Sequence, residues 1–182
     1  MRLFAGLDLP APIQDNLRRL IDRFRSSARL RWSPVENLHI TTKFIGEWPE
    51  ERLDEIEAAL AGVTGEPIPV AIRGLGWFPN PHNPRVFFAA VRAPESLVAL
   101  ARTTDEAVAA IGVEREKRPY AAHLTLARIG EPNTDLTALR RLVAGLDSDD
   151  FGEFTATTFH LYRSQTGPAG SVYTRLATFP LR

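Results

Sequence analysis

The chain reads as an α+β protein of two pseudo-symmetric lobes, each an antiparallel sheet with helices on its outer face, the pair enclosing a central groove. Three observations predict this. Residues 39–47, His-Ile-Thr-Thr-Lys-Phe-Ile-Gly-Glu, recur at 123–131 as His-Leu-Thr-Leu-Ala-Arg-Ile-Gly-Glu, identical at five of nine positions. The same offset of 84 carries Phe4 to Phe88, Ala5 to Ala89 and Pro10 to Pro94, and two separated matches at one spacing favour an internal duplication. Apolar periodicity then runs strand, helix, strand, helix, strand, twice over. With 182 residues, against about 100 to 200 per domain, the chain is expected to be a single bilobal domain with halves at approximately 1–79 and 85–182.

Each element has a local reason. Residues 2–8 predict a strand, and Pro10 and Pro12 then stand near a helix start, where proline is tolerated. Ile13, Leu17, Leu20, Ile21 and Phe24 give that helix one apolar face. Residues 38–45 are rich in β-branched and aromatic side chains and stop at Gly46, as a strand does. Leu53, Ile56 and Leu60 mark a helix that Gly62 closes, and Ile68, Val70 and Ile72 alternate as a strand. The second half repeats the order: a strand at 85–91, a helix after Pro94 carrying Leu97, Leu100, Ala101, Thr104, Val108 and Ile111, and a strand at 123–129. A helix with Leu136, Leu139, Leu142, Val143 and Leu146 follows, then strands near 153–162 and 171–178. An antiparallel sheet with two helices on one face satisfies this order in each half. Phe78-Pro79-Asn80-Pro81-His82-Asn83-Pro84 is expected to be the joint between lobes, since its prolines and polar turn-formers cannot continue a strand.

Composition narrows the chemistry. Apolar residues make up 44% and charged residues 24%, the proportions of a globular protein. Twenty-two basic and 22 acidic residues cancel, so any nucleic acid must be met by a local patch. The longest stretch without polar residues, Gly or Pro runs only from Val86 to Val91, far short of the ~20 residues of a membrane helix. The N-terminus lacks the apolar stretch of a signal peptide, so a cytoplasmic protein with no membrane partner is expected. Cysteine is absent, which removes disulfides, thiolate nucleophiles and Cys-containing metal sites. Chemistry near neutral pH then rests on four histidines (His39, His82, His123 and His160), on carboxylates, or on hydroxyls that these activate.

In a strand, residues i and i+2 share a face, so His39 neighbours Thr41 and His123 neighbours Thr125. If the two strands face one another, two imidazoles and two hydroxyls surround one small volume. An imidazole titrates near ~6.5, so a pair can hold one base and one acid together around neutrality. The hydroxyls can donate hydrogen bonds to the oxygens of a tetrahedral anion. No member is a strong nucleophile, and the reaction that fits is in-line attack of a base-activated water on a phosphodiester. A lone strand histidine is ordinarily a packed one, but its recurrence with threonine at the duplication offset is harder to explain by packing. A metal site is a rival use of the imidazoles. Each strand offers one good ligand and no carboxylate on the same face, so no metal and no cofactor are expected.

The segments Arg31-Trp32-Ser33-Pro34-Val35-Glu36-Asn37-Leu38-His39-Ile40-Thr41-Thr42-Lys43-Phe44-Ile45-Gly46 and Arg118-Pro119-Tyr120-Ala121-Ala122-His123-Leu124-Thr125-Leu126-Ala127-Arg128 closely resemble the two signatures of the two-histidine phosphoesterases. Within that superfamily the chain is similar to the bacterial and archaeal RNA 2′,3′-cyclic phosphodiesterases, also called 2′-5′ RNA ligases, from Phe4-Ala5 through Ser164, Gly167-Pro168 and Tyr173. The resemblance implies metal-free hydrolysis of RNA 2′,3′-cyclic phosphate ends to 2′-phosphomonoesters, and the reverse joining that gives a 2′-5′ linkage. It implies His39 as proton donor, His123 as proton acceptor, and Thr41 and Thr125 as holders of the non-bridging oxygens. The residues alone leave donor and acceptor interchangeable.

Phe44 and Arg128 each lie five residues after their histidine, so a regular strand would turn both away from the phosphate. A twist at the strand end before Gly46 or Gly130 would return them to the groove, where ring and guanidinium could stack on a base. The resemblance favours that for both. Two positions depart from the family pattern: Ala122 stands where proline is usual before the second histidine, and polar Thr42 follows the first threonine in place of an apolar residue. Arg115, Lys117 and Arg118 form a basic cluster that could guide an RNA backbone or simply be solvated. His82 is expected to be exposed in its turn and His160 to be structural. The expected partner is an RNA end or oligonucleotide with a 2′,3′-cyclic phosphate, met by a monomer without an obligate protein partner. The rival readings are a phosphoesterase for a small cyclic nucleotide or nucleotide-sugar cyclic phosphate, and a non-catalytic RNA-binding module.

Overall fold

A computed structural model describes all 182 residues. Nine strands and four α-helices follow in the order β1 (Arg2–Asp8), α1 (Ala11–Phe24), β2 (Arg31–Trp32), β3 (His39–Glu47), α2 (Leu53–Ala61), β4 (Ile68–Phe78), β5 (Val86–Arg92), α3 (Glu95–Ala109), β6 (His123–Arg128), α4 (Thr137–Ala144), β7 (Asp150–Ala156), β8 (Thr158–Gly167) and β9 (Gly170–Pro180). The strands form two antiparallel sheets, ordered β3-β1-β8-β9 and β2-β6-β5-β4-β7. The predicted α+β class with two antiparallel sheets is what the chain adopts. No helix is long and apolar enough to cross a membrane.

The helices form where apolar spacing and proline dictate. Pro10 precedes α1, whose buried side is Ile13, Leu17, Leu20, Ile21 and Phe24. Pro94 precedes α3, which buries Leu97, Leu100, Ala101, Thr104 and Val108. Gly62 ends α2, its backbone N–H closing onto the last carbonyls of the helix. One continuous cluster of 38 buried residues joins both sheets to their helices.

The lobes do not coincide with the sequence halves. β4, from the first half, lies between β5 and β7 in the second sheet, whereas β8 and β9, from the second half, complete the first sheet beside β1. Helices cross over as well. Asn16 of α1 donates a hydrogen bond to the Phe151 carbonyl of β7 at 2.8 Å, so α1 covers the second sheet. Lys43 of β3 pairs with Asp105 of α3 at 2.7 Å, so α3 covers the first.

Two expectations need correction. The 78–84 segment is not a joint between lobes: it links β4 and β5, which are hydrogen-bonded neighbours in one sheet. A short link between successive antiparallel strands favours their pairing, whatever their ancestry. The expected strand near 153–162 is two strands, broken at Thr157, where the chain leaves the second sheet and enters the first. His160 follows that crossing, in β8.

Candidate active site

His39 opens β3 with its imidazole half-buried. Its Nδ1–H donates to the Asn37 carbonyl at 2.7 Å, and its Nε2 meets the Thr41 hydroxyl at 3.0 Å. The backbone bond assigns the tautomer, leaving Nε2 as the working nitrogen. Phe4 stacks on the imidazole, ring centroids 4.4 Å apart and planes 21° from parallel, and Tyr173 closes it edge-on at 5.1 Å. Burial among these rings pushes the His39 pKa down to about 4, against the raising effect of its bond to Asn37.

His123 opens β6 in the corresponding way. Its Nδ1–H donates to the Ala121 carbonyl at 2.9 Å, so it also presents Nε2. Its aromatic neighbours differ: Phe78 and Phe88 meet it edge-on, at 5.0 and 5.8 Å, and stack on each other at 4.2 Å. The Phe88 ring lies over Gly76, where a Cβ would collide with Cζ and come within 2.9 Å of Cε2. Gly76 thus leaves the space into which that ring fits.

β3 and β6 belong to different sheets yet approach within 8 Å between Cα atoms. One hydrogen bond fastens the two sheets at a motif threonine, and a second holds β2 to the other. The Tyr120 hydroxyl, just before β6, donates to the Thr41 carbonyl at 2.8 Å, and the Ser33 hydroxyl, just after β2, donates to the Thr125 carbonyl at 2.7 Å. A residue before His123 therefore lies beside one after His39. Phe44 and Arg128 each lie on the C-terminal side of their motif.

Both lie on the same face as their histidines, for a reason different from a twist at the strand end. On β3, Asp8 pairs with His39, Gly6 with Thr41 and Phe4 with Phe44, and Thr42 is skipped as a β-bulge. On β6, Ala90 pairs with His123, Phe88 with Thr125 and Val86 with Arg128, and Leu126 is skipped. Each extra residue reverses the alternation, so a residue at odd spacing returns to the even face. The bulges themselves stand 84 apart, and burial along residues 39–44 repeats along 123–128. Phe44 is 63% exposed.

The neighbouring strands have shifted by two residues. By the sequence offset Phe88 corresponds to Phe4, but Phe4 lies level with Phe44 whereas Phe88 lies level with Thr125. An even slip keeps the side chain on its face while changing what it touches.

The sequence reading missed several groove residues. Tyr162 stacks on Phe4 at 5.0 Å, with its hydroxyl buried and unpartnered. Asp8 is held by Arg175 and lies 3.7 Å from His160, whose Nδ1 meets Thr178 at 3.0 Å. Burial pushes the Asp8 carboxyl up and the His160 imidazole down, and their mutual attraction opposes both. His160 is 4% exposed and hydrogen-bonded, the structural residue expected, though on the groove face beside Gly6. His82 is exposed, in the β4–β5 turn. In the basic cluster Arg115 is paired with Asp105 and Lys117 with Glu114, so only Arg118 keeps a free charge. No group of three or more His, Cys, Asp or Glu side chains is arranged to hold a metal ion.

Comparison with known proteins follows the same lines. Residues 7–88 and 90–173 match the family described as LigT-like phosphoesterase. The RNA 2′,3′-cyclic phosphodiesterase of Archaeoglobus fulgidus is 34% identical over 179 residues, covering 98% of this chain and 99% of that protein. The protein of the same name from Methanothermobacter thermautotrophicus is 35% identical over 185 residues, covering 100% and 99%. Among solved structures, TT0787 of Thermus thermophilus superposes with a TM-score of 0.79 at 30% identity, covering 100% of this chain and 98% of that one. Escherichia coli LigT complexed with 3′-AMP shares the fold, with a TM-score of 0.77 at 23% identity and coverage of 99% and 97%. With the family matched along both halves and relatives a third identical over its whole length, the chain belongs to the LigT-like phosphoesterases.

Proposed function

We propose that the protein hydrolyses 2′,3′-cyclic phosphate ends of RNA to 2′-phosphomonoesters by metal-independent acid–base catalysis between His39 and His123. The observation that carries this reading is the matched presentation of two imidazoles, each anchored through Nδ1–H to the carbonyl two residues earlier, on strands that approach within 8 Å and are joined by the Tyr120 hydroxyl at the Thr41 carbonyl. Relatives named RNA 2′,3′-cyclic phosphodiesterase supply the substrate class.

In the proposed step His123 Nε2 takes a proton from water as its oxygen bonds to phosphorus. The P–O3′ bond breaks, and protonated His39 Nε2 gives its proton to the departing 3′ oxygen. A 3′-hydroxyl and a 2′-phosphomonoester result. Thr41 and Thr125 donate to the non-bridging oxygens, where charge accumulates in the transition state. Ligation to a 2′-5′ linkage is the same displacement with a 5′-hydroxyl in place of water. Phe44 offers an exposed face for the terminal base on the β3 side, and Arg128 offers a guanidinium to RNA on the β6 side. The proposal has the chain acting as a monomer in the cytoplasm, without a protein partner.

The test is turnover of a short oligonucleotide ending in a 2′,3′-cyclic phosphate, in excess chelator. Wild-type activity is expected to persist, and His39→Ala and His123→Ala are each expected to lose at least ~10²-fold, as when a general acid or base is removed. Equal activity in either variant overturns the mechanism. Binding without turnover in the wild type would leave a non-catalytic RNA-binding module.

A further inference from the structure

Arg31 and Arg128 are register partners across β2 and β6. Partners in register share a face of the sheet. The adjoining pair, Trp32 and Ala127, lies on the core face, with Trp32 edge-on to buried Phe87 at 6.1 Å. Arg31 is therefore turned the other way, onto the face of His123, Thr125 and Arg128. Its guanidinium lies over Gly130, where a Cβ would be 3.4 Å from Nη2. β2 occupies the edge of β6 that β5 leaves open.

Like charges placed directly opposite on a sheet repel. Other arginines of this chain are held by carboxylates: Asp105 holds Arg115, Asp150 and Glu153 hold Arg73, and Asp8 holds Arg175. Neither Arg31 nor Arg128 has a carboxylate within 4.0 Å, and both are exposed. Arg128 is also the next residue on the groove face of β6 after Thr125, because of the bulge at Leu126. Two arginines in register on this face, neither paired with a carboxylate, each carry a planar fork suited to a phosphate.

We infer that Arg31 and Arg128 together bind a second phosphodiester of RNA, distinct from the reacting one. The inference rests on the proposed function and names its substrate class further: oligonucleotides rather than mononucleotides. The second phosphate has two possible sources in one chemistry. It is the internucleotide linkage of the strand that ends in the cyclic phosphate, or that of the strand bringing a 5′-hydroxyl to the His123 side. Arg31 supplies no proton and touches no reacting atom in this scheme. It is a specificity residue, and Arg31→Gln is expected to leave the reacting phosphate's own contacts in place.

The experiment measures equilibrium binding by fluorescence anisotropy, with two labelled RNA dinucleotides. One ends in a 2′-phosphate; the other carries a free 5′-hydroxyl and is titrated with 2′-AMP saturating the site. Each is made with its internucleotide linkage either as the natural phosphodiester or as a neutral methylphosphonate. In at least one arm the wild type should bind the charged form about tenfold more tightly, the worth of a charge-assisted contact. Arg31→Gln should bring that ratio near one, and Arg31→Lys, which keeps the charge and loses the fork, should fall between. The arm that responds identifies the strand. A wild-type ratio near one in both arms, or a ratio that Arg31→Gln leaves unchanged, overturns the inference. Turnover of the cyclic phosphate form is followed in parallel, so the two ideas separate. An Arg31-dependent ratio without turnover would sink the hydrolytic reading and keep the second-phosphate site, and turnover with ratios of one would do the reverse.

Discussion

A histidine whose pKa falls to about 4 is an unpromising proton donor at neutral pH, and His39 is assigned that task. The magnitudes show how it can perform it. The drop from the ordinary 6.5 to about 4, at about 1.36 kcal/mol per pH unit, makes the imidazolium roughly 3 kcal/mol costlier in this setting than in water. A single negative charge about 4 Å away, at an effective dielectric of about 20, returns about 4 kcal/mol. Bound phosphate alone would therefore suffice to protonate His39, so that in the proposed mechanism the substrate would arm the donor. The perturbation is addition of a 2′-phosphomononucleotide, and the assay is NMR titration of the His39 Cε1 proton. The midpoint should be about 4 in the free protein and should rise above about 6 with ligand saturating. Phe4→Ala, which uncovers the stacked face of the ring, should raise the free midpoint toward 6.5. A liganded midpoint still near 4 would refute the donor assignment. A free midpoint near 6.5 would refute the account of burial.

Three further outcomes are expected. Because folding lowers the His39 pKa, the unfolded chain binds the proton first: this stability is complete above pH 6.5, is lost as pH falls toward about 4, and changes no further below. Urea midpoints measured across that window should therefore fall less steeply in His39→Asn than in wild type. Lys43→Met removes the buried partner of Asp105 and of the Glu114 carbonyl. It should cost about 3 kcal/mol in urea unfolding, and Lys43→Met with Asp105→Leu should recover part of that. Gly76→Ala drives a methyl into the Phe88 ring, which stacks on Phe78 and meets His123 edge-on. Steady-state kinetics should show kcat down by about tenfold with KM little changed, the mark of a misplaced catalytic group.

What the sequence discloses here is what local patterns encode. The helices follow from apolar spacing and bracketing prolines, so the buried faces of α1 and α3 are those the spacing predicts. The motif histidines and threonines stand out because two copies can be compared. Strand exchange leaves no such trace: β4 joins β7, and β8 joins β1, through pairings between residues far apart in sequence. The bulges are hidden for a related reason. Thr42-Lys43 and Leu126-Ala127 share no residue type, although all four are buried. Lys43 looks solvent-facing until Asp105, 62 residues away, is seen to receive it. Asp8, His160 and Arg175 come from three strands and offer no common motif.

The duplication explains why the two histidines are anchored alike, and the two-residue slip explains why they need not act alike. Had β5 kept the register of β1, Phe88 would lie level with Arg128 and a small residue would stand opposite Thr125, as Gly6 stands opposite Thr41. Instead Phe88 occupies the level of Thr125 and meets His123 edge-on, whereas Phe4 lies flat on His39. Paired titratable groups divide acid from base when their surroundings separate them. Here the surroundings differ through the strand beside each motif, not through the motifs themselves. Exchanging the roles of the histidines would then require altering β1 and β5, with His-x-Thr left untouched in both copies.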